Sequence, residues 1–212
     1  FIRLGHRVLS ISREGYDKVK TDGRDLAPFV IRVATANGQT DIRARAVIDS
    51  SGTWTTPNPL GANGLPAIGE EEARDRIHYG IPDVLGASRA RYAGKRVLVV
   101  GAGHSAANAL LALAELAQQG EAPQLIWAVR GKSLTRVFGG GDADALPARG
   151  QLGTALRKLQ EGRRLEVVTD FRITAVTRQQ QKLAIHAIGA DGSRKRLDGV
   201  DEIICATGQR PN

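Results

Sequence analysis

The run Lys95-Arg-Val-Leu-Val-Val100-Gly101-Ala-Gly103-His104-Ser105-Ala106-Ala-Asn108 decides the fold. Arg96 to Val100 is a short β-branched stretch. Two glycines follow at once, and then Ala, Leu and Glu at good helix-forming spacing through Leu116. This pattern predicts a strand, a tight turn and a helix. Each position has a physical role in a dinucleotide site. Gly101 permits the turn, Gly103 lets the backbone approach a pyrophosphate, and Ala106 is small enough for helix to pack on strand. The anion then lies at the helix N-terminus, where unpaired N–H groups and the helix dipole favour negative charge. Ser105 adds a hydroxyl donor.

A second strand is expected at Leu125 to Val129, after the polar stretch Gln118 to Gln124. The tip of that strand sets cofactor preference, because an acid there binds the ribose 2′-OH of NAD and an arginine accommodates the 2′-phosphate of NADP. The sequence reads Val129-Arg130-Gly-Lys132, with no acid at the tip. NADP(H) is therefore the expected cofactor. Farther on, the glycine cluster within Phe138 to Asp144 reads as a loop at the carboxyl ends of the strands or as a linker. A helix is expected over Gln151 to Gly162 and a third strand over Leu165 to Val168.

An internal repeat organises the rest. A strand over Arg7 to Ser12, an alternating hairpin from Phe29 through Asn37-Gly38, and an apolar strand over Ala46 to Gly52 form the first copy. Arg172 to Thr177, a hairpin from Lys182 with Asp191-Gly192, and Ile203 to Gly208 form the second. Period-2 alternation and Asn-Gly or Asp-Gly turns mark antiparallel strands. Each copy is followed by Pro-Asn, at Pro57-Asn58 and Pro211-Asn212. Because the second copy is preceded by strand, glycine turn and helix and the first is not, a further nucleotide-binding half is expected upstream of Phe1.

The chain resembles the two-dinucleotide-domain flavoproteins, and most of all their flavin-containing monooxygenase branch. The resemblance is carried by Ala46 to Asn58, Tyr92 to Asn108 and Ile203 to Asn212, and the order of these stretches spans nearly the whole chain. It implies an α/β fold: a Rossmann-like dinucleotide-binding domain with a parallel sheet and a β-meander, plus a partial, β-rich remnant of an FAD domain. The implied division is 1–58 for the FAD-domain segment, 59–94 for a linker or hinge, and 95–212 for the NADP-binding domain. Gly101, Gly103, Ser105, Ala106 and Asn108, with His104 among them, would lie on the NADP pyrophosphate. Arg130, with Lys132 beside it, would lie on the 2′-phosphate. Gly52, Thr53, Thr207 and Gly208 would lie at the crossings between domains, near flavin and nicotinamide. The branch's F-x-G-x-x-x-H fingerprint is not present, since Gly69 and His78 stand at another spacing. The implied chemistry is hydride transfer from NADPH to FAD, ending in a monooxygenase, in a reductase of a disulfide or other acceptor, or in an NADP(H) sensor without turnover. No side chain is expected to act as a catalytic acid or base.

Composition bounds these expectations. The chain has 212 residues, 42% hydrophobic and 25% charged, which suits a folded, soluble protein. Cys205 is its single cysteine, excluding an internal disulfide and favouring a reducing, cytoplasmic compartment. His6, His78, His104 and His186 show no metal-ligand spacing, so no metal is expected. The net charge of +8 is spread along the chain, with only short clusters such as Arg163-Arg164 and Arg194-Lys195-Arg196, and aromatics make up 4%. Nucleic acid and membrane are not expected partners; a small-molecule substrate is, and a homodimer could form through exposed strand edges. The chain on its own is expected to be colourless and to lack NADPH oxidase activity.

Overall fold

The computed structural model describes residues 2–53, 55–120, 122–138, 147–162 and 164–210. The glycine-rich 139–146 and the second Pro-Asn pair, Pro211 and Asn212, lie outside the described residues. The chain divides into two compact units, Phe1–Gly52 and Thr53–Asn212.

The first unit is an antiparallel meander of β1 (Arg7–Arg13), β2 (Phe29–Thr35) and β3 (Gly38–Ala44), with β2 in the middle. Its turn at Asn37-Gly38 has Gly38 at φ +109°, a value glycine adopts without steric cost. The expected strand over Ala46 to Gly52 does not form. Within this unit no parallel neighbour is available to accept its backbone hydrogen bonds, and Ile48 is 93% exposed. An apolar run forms a strand only where a ladder receives it.

The second unit is built on five parallel strands in the order β4-β11-β5-β6-β7: β4 (Ile77–Tyr79), β5 (Arg96–Val100), β6 (Gln124–Ala128), β7 (Glu166–Val168) and β11 (Glu202–Cys205). Both faces are covered, so these strands read as continuous apolar runs rather than alternating ones. On one face lie α2 (His104–Gln118) and α4 (Pro147–Glu161). Helix α2 buries Ala106, Ala109, Leu110, Leu113 and Leu116, a stripe at helical spacing, among Val97, Val99, Trp127 and Ile204. On the other face lies a second antiparallel meander of β8 (Arg172–Gln179), β9 (Lys182–Ile188) and β10 (Arg194–Val200). Its Ile173, Val176, Leu183 and Ile185 pack with Leu98, Val100, Ile126 and Ile203. Each such fully buried aliphatic side chain contributes about 1.5–3 kcal/mol.

The two meanders share a defect. In the first, Val8 faces Val33 and Ser10 faces Arg32, leaving Leu9 as an extra residue. In the second, Ile173 faces Ala187 and Ala175 faces His186, leaving Thr174 extra. A bulge one residue past the second position of the first strand, in both copies, is a built feature of a repeated module. Only the second copy continues into a paired strand, β11, which inserts between β4 and β5.

The stretch 59–94, expected to be a linker, contains a 3-10 turn at Arg74–Arg76, the edge strand β4 and the short helix α1 (Arg89–Tyr92). The short helix α3 (Thr135–Phe138) follows β6 in the chain. Among the described residues, no helix is long and apolar enough to cross a membrane.

Candidate functional site

From β5 the chain moves to β6 and β7 on one side, while β11 pairs on the other side. This reversal opens a crevice beyond the carboxyl ends of β5 and β11, the place where open α/β sheets bind ligands. A cleft of about 460 Å³ occupies it. Val100, Gly101, Ala102, Gly103 and Ser105 form one wall, Ala206, Thr207 and Gly208 a second, and Asn58 to Ala62 with Gly64 a third; Arg130, Phe171 and Ile173 complete it.

The glycine turn is fixed from three directions. Gly101 has φ +136°, and a Cβ there would meet the Ala206 carbonyl oxygen at 2.2 Å, so only glycine lets β5 and β11 finish side by side. Its amide donates to the Ala128 carbonyl at 3.2 Å. Its carbonyl accepts the indole N–H of the fully buried Trp127 at 2.7 Å. Gly103 differs: φ is −105° and a Cβ would meet nothing within 4 Å. As the N-cap of α2 it offers no side-chain cap, and the helix has no acid in its first turn. The first amides of α2 therefore receive no side-chain bond from the N-cap residue.

The wall formed by residues 58–64 is tied down at both ends. Asn58 donates from its amide to the Gly208 carbonyl at 3.0 Å and from Nδ2 to the Thr207 carbonyl at 3.1 Å. The Thr207 hydroxyl donates to the Asn58 carbonyl. Ala62 donates to the Ile173 carbonyl at 3.1 Å. Under this wall sits Glu70, only 3% exposed. It accepts from the Leu60 amide at 3.0 Å, the Ala67 amide at 2.6 Å and the Tyr79 hydroxyl at 2.6 Å. Burial, and then the bond to Glu70, push the Tyr79 hydroxyl well above its ordinary pKa.

Of the residues singled out from sequence, the cleft brings together Gly101, Gly103, Ser105, Arg130, Thr207 and Gly208. Ala106 is fully buried on the packed face of α2, where its small size serves packing. His104, Asn108 and Lys132 are exposed and do not line the cleft. Gly52 falls in the first unit and is exposed, and Thr53 opens the second unit without reaching the cleft. His78 lies on β4, paired with Ile204, and its pKa is lowered by burial and then by the Arg91 charge. Cys205 is buried under the floor beside Asn58 and Thr207, and burial pushes its thiol up to about 11. Trp127, Glu70 and the wall residues after Asn58 were not singled out by the sequence pattern. Phe171 and Ile173 also lacked any signal beyond strand periodicity.

No protein-family model and no curated protein matches the chain in sequence. Its structure does match solved ones. The cadaverine monooxygenase DfoA of Erwinia amylovora, solved with FAD, superposes with a TM-score of 0.68 at 16% identity over 98% of this chain and 53% of its own. The L-lysine 6-monooxygenase of Pseudomonas syringae gives 0.62 at 20% identity, over 98% and 53%. The bacillithiol disulfide reductase of Bacillus cereus gives 0.61 at 17%, over 98% and 51%. The chain spans about half the length of these structures, and it has the fold of the two-dinucleotide-domain flavoproteins.

Proposed function

We propose that this chain is the NADP(H)-binding portion of an FAD-dependent oxidoreductase. The observation that carries the reading is the cleft at the switch point, where Gly101, Gly103 and Ser105 meet Arg130 on one side of β5 and Thr207-Gly208 on the other. A dinucleotide laid across that crevice meets the uncapped amides of α2 with its pyrophosphate. The open space above Gly103 admits the phosphate oxygens. Arg130, at the tip of β6, stands where a 2′-phosphate is recognised, and a guanidinium suits that group through paired, charge-assisted hydrogen bonds. Lys132, two residues on and exposed, adds positive charge near the same tip.

When bound, NADPH supplies a hydride and the flavin accepts it. The chain's own residues bind, orient and shield. Among the described residues of the first unit there is no strand, glycine turn and helix in succession, so FAD's pyrophosphate finds no such cradle there. Flavin is proposed for the whole protein, and the 212-residue chain alone is expected to be colourless.

A monooxygenase-like outcome is the preferred form, in line with DfoA and the lysine monooxygenase among the structural matches. The bacillithiol disulfide reductase match favours a second form, in which electrons pass to a disulfide or another acceptor. Anaerobic mixing of the whole protein with NADPH tests the common part: bleaching of flavin absorbance is expected, and a flavin that stays oxidised contradicts it. Steady NADPH consumption that requires oxygen then selects the monooxygenase form, and consumption that requires a disulfide selects the reductase.

A further inference from the structure

Glu70 is the most completely buried carboxylate among the described residues, at 3% exposure. Among the described residues no lysine or arginine is bonded to it. Its partners are the backbone amide of Leu60 within the cleft wall, the amide of Ala67 three residues beyond that wall, and the Tyr79 hydroxyl on the edge strand β4. A buried carboxyl group is costly unless its lone pairs are filled, and these are filled by the Leu60 and Ala67 amides and the Tyr79 hydroxyl. The 60–67 backbone is folded tightly over it. A Cβ on Gly61 would meet the Leu65 carbonyl oxygen at 2.0 Å, and one on Gly69 would meet the Val176 carbonyl oxygen at 2.1 Å. Arg74 stacks over the Tyr79 ring at 4.2 Å.

The wall has a definite place on the proposed ligand. Leu60 lies two residues after Asn58, which is bonded to Thr207 and Gly208 beyond β11. Arg130 lies beyond β6, on the other side of β5. If the 2′-phosphate end of a dinucleotide is at Arg130, the nicotinamide end lies on the β11 side, against the Glu70-held wall.

We propose that Glu70 is a positioning residue for the nicotinamide half of the bound dinucleotide, acting through the Leu60 and Ala67 amides, with Tyr79 fixing its carboxylate. This rests on the NADP(H) reading of the cleft. Both carboxylate oxygens accept from the Leu60 amide, so an amide NH2 in place of either one faces that N–H as a second donor and weakens the hold on the wall. The adenosine half keeps Arg130 and the α2 amides.

The test titrates two probes, NADPH and adenosine 2′,5′-bisphosphate, into the 212-residue chain and its Glu70→Gln and Tyr79→Phe variants, with circular dichroism to confirm folding. In Glu70→Gln the NADPH dissociation constant is expected to rise roughly tenfold, as for a lost hydrogen bond to a charged group, while that of the bisphosphate changes by less than about twofold. Tyr79→Phe is expected to give the same selectivity with a smaller rise, about two- to fourfold. If Glu70→Gln does not fold, Tyr79→Phe decides alone. NADPH affinity unchanged in the folded variants, or lost equally for both probes, overturns the proposal while leaving the NADP(H) reading standing. An unmutated chain that binds neither probe overturns the reading itself.

Discussion

The missing Cβ of Gly101 would lie 2.2 Å from the carbonyl oxygen of Ala206. The glycine turn after β5 and the end of β11 are thus pressed against each other at the point where the strand order reverses. Gly103, two residues on, faces open space. The two glycines of one motif differ: the first lets the ends of β5 and β11 lie side by side, and the second leaves open space at the start of α2.

Gly101→Ala is accordingly expected to destabilise the second unit by about 2 kcal/mol or more, from the overlap with Ala206 and the unfavourable φ together. Urea unfolding followed by circular dichroism measures it. A variant as stable as the parent would mean that the close approach is not a real constraint.

Gly103 makes the opposite prediction. Gly103→Ser gives α2 the side-chain cap it lacks and should raise stability by a few tenths of a kcal/mol. The same hydroxyl occupies an amide that the pyrophosphate needs, so NADPH affinity should fall about tenfold. Gly103→Val should fold and lose NADPH binding, since its branched side chain fills the approach. Undiminished NADPH affinity in both folded variants would place the ligand elsewhere.

Acid stability should depend on Asp201, which sits at the start of β11, 8% exposed. Burial pushes its pKa up, but the Arg96 amide at 2.8 Å and the Lys182 ammonium override it, and the net shift is downward. The carboxylate therefore contributes stability that is fully present above its unfolded pKa of about 3.9 and is lost as pH falls through the lower folded value. Asp201→Asn should be less stable than the parent at pH 7, with the gap closing below about pH 4. Thermal melts of both proteins between pH 2 and 7 follow it; a gap constant over that range would contradict the ionic role.

How much of this was legible in the sequence depends on whether the signal was local. Arg96 to Ala106 announced strand, turn and helix because β-branched residues, glycines and alanines each act on their own backbone. The meanders were legible from alternation in Phe29 to Thr35 and Lys182 to Ile188. Ala46 to Gly52 carries the same apolar pattern as β11 and yet forms no strand, because a parallel strand depends on its neighbours. β4 has three residues and lies in a charged stretch, too short for periodicity to register. Glu70 stands in Glu70-Glu71-Glu72, and only the fold distinguishes it from its two exposed neighbours. Trp127 reads as a core aromatic, and its bond to the Gly101 carbonyl depends on a strand pairing that spacing does not reveal.

The crevice between β5 and β11 is proposed to take a dinucleotide bearing a 2′-phosphate, recognised by Arg130. Isothermal titration of the chain and of Arg130→Ala with NADPH and with NADH tests it most directly. NADPH is expected to bind the unmutated chain more tightly than NADH, and Arg130→Ala is expected to narrow that gap by roughly 1.5–3 kcal/mol, the range for hydrogen bonds to a charged group, with NADH affinity little changed. Equal affinity of the unmutated chain for the two cofactors would contradict the claim.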